Sequence, residues 1–346
     1  MQEPRGLTGL ANLGNTCFMN SCMQLLSNTP ELNKILDTYD KEIKKNAHKE
    51  NIKGKMDYMT LLKEWKELKD LMWSKNCIIS PDRFQEHVQV VARQHDKDIF
   101  TGYAQNDLPE FLLFVLDTFH NALYKSVNVT IKGQSQNETD QTAIKCYNVI
   151  KTMYEKEYSV ILDHFYGMSL TYITDESGNV LSVTPEPYMI LNLPIPEKKK
   201  NLELQDCIDL YCQSEVLDGE NMWFNSNTQE KQIAMRTTRF WSMPNIMVVD
   251  LKRFNNNNRK RQELINISLN AIDLSKYVTG YNKQSYVYEL YGVCNHEGGA
   301  LGGHYTATIK KENGKWYNFN DTRVEQISEK KVISTKAYCL FFKKIS

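Results

Sequence analysis

The sequence predicts an α+β protein. Its first half places apolar residues at helical spacing, its second half holds short runs of alternating and β-branched residues, and the two kinds of segment are not interleaved as βαβ units. With 346 residues the chain can bury a large core, and length alone would allow two or three domains. The first element is a helix that starts at Cys17, where a turn rich in Gly and Asn (residues 9–16) gives way to an apolar run. Leu61, Leu62, Trp65, Leu68, Leu71 and Met72 fall on one helical face and are expected in the core. Ser80-Pro81-Asp82 reads as an N-cap with proline in the first turn, opening a helix through Phe84, Val88 and Val91. A further helix follows Asn106-Asp107 and is expected to bury Leu108, Phe111, Leu112, Val115, Leu116 and Phe119. Residues 40–55 and 132–140 are polar and expected to be exposed, without marking a boundary between domains. From Phe165 onward the pattern predicts strands over 165–174, 180–183, 188–193, 233–240 and 246–254, with a helix over 202–211 between them.

Three residue types in this order point to acyl-transfer chemistry. A cysteine at a helix N-terminus meets unpaired amide hydrogens and a partial positive charge, which should lower its pKa and favour the nucleophilic thiolate. Cys17 has that position, and Asn12 before it offers a side-chain amide to a developing oxyanion. A buried free cysteine is equally a small core residue, so the pattern needs a partner. His304 supplies one: it follows the glycine-rich stretch 298–303, expected to be a mobile hinge, at the start of an alternating strand. Asn313-Gly314 is a strong hairpin signal, and the strand 316–321 beyond it brings Asn320 or Asp321 beside His304. Cysteine, histidine and an orienting amide or carboxylate form the arrangement of a papain-like thiol hydrolase. His48, His87, His95 and His120 have no such context and are expected to be structural.

These residues bear a family resemblance. The segment 9–26 resembles the cysteine box of the ubiquitin-specific proteases, and 291–324, with Asn295-His296 and Gly302-Gly303-His304-Tyr305, resembles their histidine box. Residues 103–112, including Gln105, Asp107 and Glu110, are similar to the family's acidic helix-entry motif, and Leu251-Lys252-Arg253-Phe254 to the strand before the histidine box. The landmarks occur in family order over nearly the whole chain. The resemblance implies one catalytic domain of papain-like type with a helical thumb (about 6–160), a finger-like sheet (about 165–240) and a palm (about 241–346), the active site lying between thumb and palm. It implies a deubiquitinase in which Cys17 attacks, His304 moves the proton, Asn320 or Asp321 orients the imidazole and Asn12 serves the oxyanion. Gln105, Asp107, Glu110, His296, Gly302, Gly303 and Tyr305 would bind the substrate tail, the acids pairing with its arginines and the glycines with Tyr305 lining a slot for Gly-Gly. Residues 255–261 align with a loop that gates ubiquitin in the family. A catalytically silent ubiquitin-binding module and a protease for a ubiquitin-like modifier are the alternatives.

Composition narrows the partners. Lys plus Arg equals Asp plus Glu at 42 each, so no net basic field recruits nucleic acid or an anionic membrane. The N-terminus shows no apolar signal segment, so the eight cysteines are read as reduced thiols. No apolar run approaches the roughly 20 residues of a membrane span. The expectation is an intracellular monomer, in cytosol or nucleus, whose partners are ubiquitin and ubiquitinated proteins and which needs no cofactor. Many family members hold a structural zinc in the fingers with two Cys-x-x-Cys pairs; here 172–178 and 223–228 offer no cysteine, and a metal-free finger region is expected.

Overall fold

Helices occupy the first half of the chain and strands the second. The computed structural model describes residues 4–46, 55–102, 104–197, 199–281, 283–300 and 302–345, with the backbone alone over 39–46. The expected exposed stretch 40–55 therefore lies mostly outside the described residues. In chain order come β1 (Gly9–Leu10), α1 (Cys17–Ser27), α2 (Pro30–Asn46), α3 (Met56–Ser74), β2 (Ile78–Ile79), α4 (Asp82–Gln94), α5 (Leu108–Leu123), α6 (Glu138–Glu157) and α7 (Val160–Phe165). There follow β3 (Gly167–Thr174), β4 (Val180–Tyr188), β5 (Ile190–Leu193), β6 (Leu202–Glu203), α8 (Leu204–Tyr211), β7 (Glu215–Leu217), β8 (Trp223–Asn225), β9 (Glu230–Gln232), β10 (Ala234–Ser242) and β11 (Ile246–Leu251). The chain ends with β12 (Ile265–Asn266), β13 (Ile272–Asp273), β14 (Val287–Gly299), β15 (Gly302–Lys310), β16 (Trp316–Asn320), β17 (Arg323–Ile327) and β18 (Ala337–Lys344).

One sheet of eight strands organises the molecule, in the order β17-β16-β15-β14-β18-β11-β5 with β13 paired to β14. Its side chains alternate between two cores, as the two-residue period of a strand requires. Ile246 and Val248 of β11, with Cys339 and Phe341 of β18, face the helices, while Met247, Val249, Leu340 and Phe342 face the other way. On the helical side α1 lies against β14, β15 and β16 and is buried along its whole length. Phe18 of α1 meets Phe111 of α5 edge to face at 5.2 Å, and Trp65 of α3 lies 6.0 Å from Phe84 and 6.3 Å from Phe119. A second sheet, β4-β3-β10-β7, packs Met168, Leu170 and Trp241 against Ala143 and Cys146 of α6.

Several expectations change on contact with this packing. Leu71 is 54% exposed, because α3 turns a narrower face to the core than the apolar stripe implied. Pro81, not Ser80, is the N-cap of α4. Phe165 ends α7 instead of opening a strand, and β3 starts at Gly167. The segment 165–240 is not one sheet: β5 leaves it to become the parallel edge partner of β11, and α8 packs in the core on that side of the large sheet.

Two buried cations fasten the ends of the sheet. Arg253 is fully buried and donates to backbone carbonyls, Nε to Ala337 at 2.6 Å and Nη1 to Arg261 and Glu263 at 3.1 and 3.0 Å, while its Nη2 has no hydrogen-bond partner among the described residues. Lys311, at the far end of β15 from His304, donates to Asn28 Oδ1 at 2.6 Å and sits 4.0 Å from the Trp73 ring, with Gly6 O also in reach. It ties the N-terminal segment, α1 and α3 to the sheet. Because Phe111 is fully buried at the α1–α5 contact, Phe111→Ala should cost about 3–5 kcal/mol of stability in urea unfolding, whereas Leu71→Ala should stay within about 0.5 kcal/mol. Equal costs at the two positions would contradict this assignment of the core.

Candidate active site

The turn before α1 is held by Asn12. Its Oδ1 accepts from the amides of Gly14 and Thr16, each at 3.1 Å, and Asn15 takes a left-handed φ of 58°, so the chain reverses tightly into the helix. Asn12 Nδ2 donates one hydrogen to Asp321 Oδ2 at 3.0 Å, and its second hydrogen has no partner among the described residues. Asn20, one turn into α1, donates to the other oxygen of Asp321 at 2.8 Å and to the carbonyl of Ala11 at 3.2 Å. The Leu10 amide donates to the Asp321 carbonyl at 2.9 Å. Gly9 is required beside it, since a Cβ there would lie 2.4 Å from the carbonyl oxygen of Thr322.

Asn320 and Asp321 are separated by the end of β16. Asn320 is the last residue of the strand, and its Oδ1 lies 2.7 Å from His304 Nε2. A carboxamide oxygen only accepts, so Nε2 is the donor and Nδ1 is left to other partners. Asp321 takes the left-handed φ of 49° and is turned to Asn12 and Asn20; no hydrogen bond joins it to His304 among the described residues.

His304 stands near the start of a strand, β15, as expected, but the glycines before it are paired in a ladder and do not form a loop. It pairs with Glu297 across β14 and β15, and the ladder continues to Gly299 and Gly302. The glycines serve close approach instead: a Cβ on Gly303 would fall 2.2 Å from His296 Nε2. Leu301 lies outside the described residues. The amide of Tyr305, the residue after His304, hydrogen-bonds the Cys17 sulfur, as does that of Phe18. These amides act to lower the Cys17 pKa, but burial outweighs them and the Asp321 charge adds to it, so the thiol is pushed up, against the sequence expectation. No hydrogen bond joins Cys17 to His304 among the described residues.

A slot of about 290 Å³ adjoins this cluster, lined by Gln105, Asp107, His296, Gly302, Gly303 and Tyr305 together with Phe254 and Tyr338. Gln105 spans it: its Oε1 accepts from the Gly303 amide at 2.6 Å, and its Nε2 lies 3.4 Å from Asn15 Oδ1. Asp107 is the N-cap of α5, yet its carboxylate turns from the helix to accept from Tyr305 at 2.8 Å and from Tyr338. His296 is 3% exposed, stacks on Tyr305 at 4.6 Å, and is pushed down to about 4 by burial and then by the Lys260 ammonium, whose Nζ lies 3.0 Å from its Nδ1. Lys260 comes from the exposed turn 255–259, closed by pairing of Phe254 with Lys260. Glu110 stands exposed in the first turn of α5, and among the described residues no hydrogen bond or ion pair joins it to the slot.

Residues 8–342 match the family described as ubiquitin carboxyl-terminal hydrolase. The chain is 32% identical, over 99% of its length, to ubiquitin carboxyl-terminal hydrolase 2 of Homo sapiens, and 32% identical over 98% to the Gallus gallus protein of that name. The chain belongs to the ubiquitin carboxyl-terminal hydrolase family. It spans 56% of the human relative and 93% of the chicken one, and about half the length of most of the curated relatives it matches first. Its fold is that of the SAGA DUB module Ubp8/Sgf11/Sus1/Sgf73 solved with ubiquitin aldehyde (TM-score 0.73, 22% identity, all of this chain and 71% of that one) and of the same kind of module solved with monoubiquitin (TM-score 0.74, 22% identity).

Tyr338 was not read from the sequence and had no local signal, because it reaches the slot only through sheet order. Asn20, Phe254 and Lys260 lie in segments singled out there (9–26, 251–254 and 255–261) without having been given a place at the site. Among the described residues no cluster of His, Cys, Asp or Glu fit for a metal ion occurs, and no helix is long and apolar enough to cross a membrane.

The electrostatics give a signed expectation for Cys17. Alkylation of Cys17 by iodoacetamide, followed by peptide mass analysis against pH, should show a midpoint above that of the same cysteine in the urea-unfolded chain. Asp321→Asn removes a negative charge that disfavours thiolate, so the midpoint should fall and labelling at pH 7.5 should accelerate. A wild-type midpoint below the unfolded one would contradict the dominance of burial.

Proposed function

We propose that the chain is a thiol-dependent deubiquitinase that hydrolyses the isopeptide or peptide bond after the C-terminal glycine of ubiquitin. The observation that carries this is the 2.7 Å contact of His304 Nε2 with Asn320 Oδ1, one residue before the amide that hydrogen-bonds the Cys17 sulfur at the start of α1. The contact fixes the tautomer in which Nδ1 accepts the thiol proton. The thiolate attacks the carbonyl carbon, and the oxyanion is met by the Cys17 amide and by the uncommitted hydrogen of Asn12 Nδ2. The imidazolium then protonates the leaving lysine amine, and neutral His304 activates the water that opens the acyl-enzyme. Asp321 acts as a positioning residue that aims Asn12. The slot over Asp107 and Tyr305 receives the tail, with Gln105 displaced or rebonded as the tail passes. The helical first half, the four-stranded sheet and the eight-stranded sheet take the places of thumb, fingers and palm.

Release of a fluorogenic amine from the C-terminus of ubiquitin tests the roles. Cys17→Ala should abolish turnover and still bind ubiquitin, since it removes the sulfur without opening a large cavity. Asn320→Ala should lower kcat by roughly 10- to 1000-fold, the loss of an orienter and not of the base. Turnover by Cys17→Ala, or full activity of Asn320→Ala, would contradict these assignments.

A further inference from the structure

We propose that Asn20 is a positioning residue for the oxyanion: acting through Asp321, it holds the Asn12 amide where negative charge develops. This rests on the proposed function, which gives Asn12 that role, and extends the site one turn into α1.

Asn20 is a polar residue in a helix buried along its whole length, and it is only 2% exposed itself. Cys17 lies three residues before it, so the two are neighbours on the helix surface. Its Nδ2 carries two hydrogens and meets Asp321 Oδ1 at 2.8 Å and the Ala11 carbonyl at 3.2 Å, with the Leu10 carbonyl at 3.4 Å. Its Oδ1 is buried and has no hydrogen-bond partner among the described residues. An unpaired buried oxygen costs stability, so an amide at this place is explained by its donors and not by its acceptor. Gln24, one turn further on, shows what a strap alone looks like: its Nε2 donates to the Thr8 carbonyl at 2.7 Å, and its Oε1 is likewise without a partner among the described residues. Asn20 straps residues 10 and 11 in the same way, and in addition it reaches a carboxylate.

Asp321 divides its carboxylate between two amides, Oδ1 to Asn20 and Oδ2 to Asn12 at 3.0 Å. The last torsion of an aspartate is soft, so a carboxylate held by one oxygen can swing, whereas one held by both cannot. Asn20 thereby fixes the direction in which Oδ2 points. Asn12 is gripped at its other end by the amides of Gly14 and Thr16, which donate to its Oδ1. With the oxygen and one N–H of that carboxamide engaged, its plane is set and the other N–H has one direction. A donor already oriented stabilises a developing charge more than one that must first turn, and this is what Asn20 contributes.

The test is steady-state release of a fluorogenic amine from the C-terminus of ubiquitin by the Asn12→Ala, Asn20→Ala and doubly substituted proteins. Asn20→Ala should lower kcat roughly 10-fold, short of the roughly 100- to 1000-fold that follows loss of an oxyanion donor, and should leave KM within about twofold. The double variant should be no slower than Asn12→Ala, because with the Asn12 amide gone Asn20 has nothing left to aim. Losses that multiply in the double variant, a loss confined to KM, or full activity of Asn20→Ala would overturn the inference and leave the functional reading standing. Full activity of Asn12→Ala would remove its oxyanion role and the inference with it, and absence of turnover by the unsubstituted protein would overturn the functional reading itself. If Asn20→Ala fails to fold, Asn20→Asp keeps the shape and sets two carboxylates against each other, which should lower kcat at least as far. Adding Asp321→Asn should then recover roughly tenfold, since the exchanged pair again sets a donor against an acceptor and an amide oxygen against Asn12 Nδ2. No recovery would overturn the inference.

Discussion

The carboxylate of Asp321 joins the two ends of the chain at the candidate site. One oxygen holds Asn12 before α1 and the other holds Asn20 within it, while its carbonyl receives the Leu10 amide. These contacts cross about 300 residues of sequence and fix the N-terminus of α1 against the turn that ends β16. A charge-assisted hydrogen bond of this kind is roughly twice as strong as a neutral one; the bond to Asn20 is partly buried, whereas that to Asn12 is exposed. The left-handed backbone at Asp321 is what frees Asn320, on the strand, to face His304. Two adjacent side chains thereby serve different partners, and the position of each depends on the strand ending between them.

The slot beside this cluster is governed by desolvation more than by net charge. His296 is kept neutral, and the tyrosines that bond Asp107 have their ionisation pushed well above the ordinary range by burial and by the acid itself. Phenols that stay protonated are permanent donors, so Asp107 is held in place without being neutralised by a cation. A carboxylate anchored in this way remains available to a basic ligand. The Cys17 thiol shares the same low-dielectric setting. Burial raises its pKa against the backbone amides that would lower it.

Much of this was legible in the sequence because the signals were local. The Gly- and Asn-rich turn into Cys17, the Asn313-Gly314 hairpin and the helical stripe after Asp107 each specify their structure within a dozen residues. The errors came where tertiary packing decides. Leu71 fits the apolar period of α3 but lies past the edge of what the core covers, and Ile190–Leu193 reads as a strand without revealing which sheet takes it. The glycines before His304 resemble a hinge, yet they permit a tight ladder against His296. Burial of Cys17 against the sheet is likewise invisible in its flanking residues, and it reverses the shift that a helix terminus alone would give. Tyr338 could be found only once the bulge on β18 was known.

In the proposed reaction the Cys17 sulfur is the atom that attacks the ubiquitin carbonyl. Incubating the protein with ubiquitin that ends in an electrophile, then measuring intact mass and mapping the modified peptide, reads this directly. One ubiquitin should be added per chain, on the peptide containing Cys17 and on none of the other seven cysteines. No adduct despite ubiquitin binding, labelling only by the equivalent probe of a ubiquitin-like modifier, or an adduct on another cysteine would contradict it.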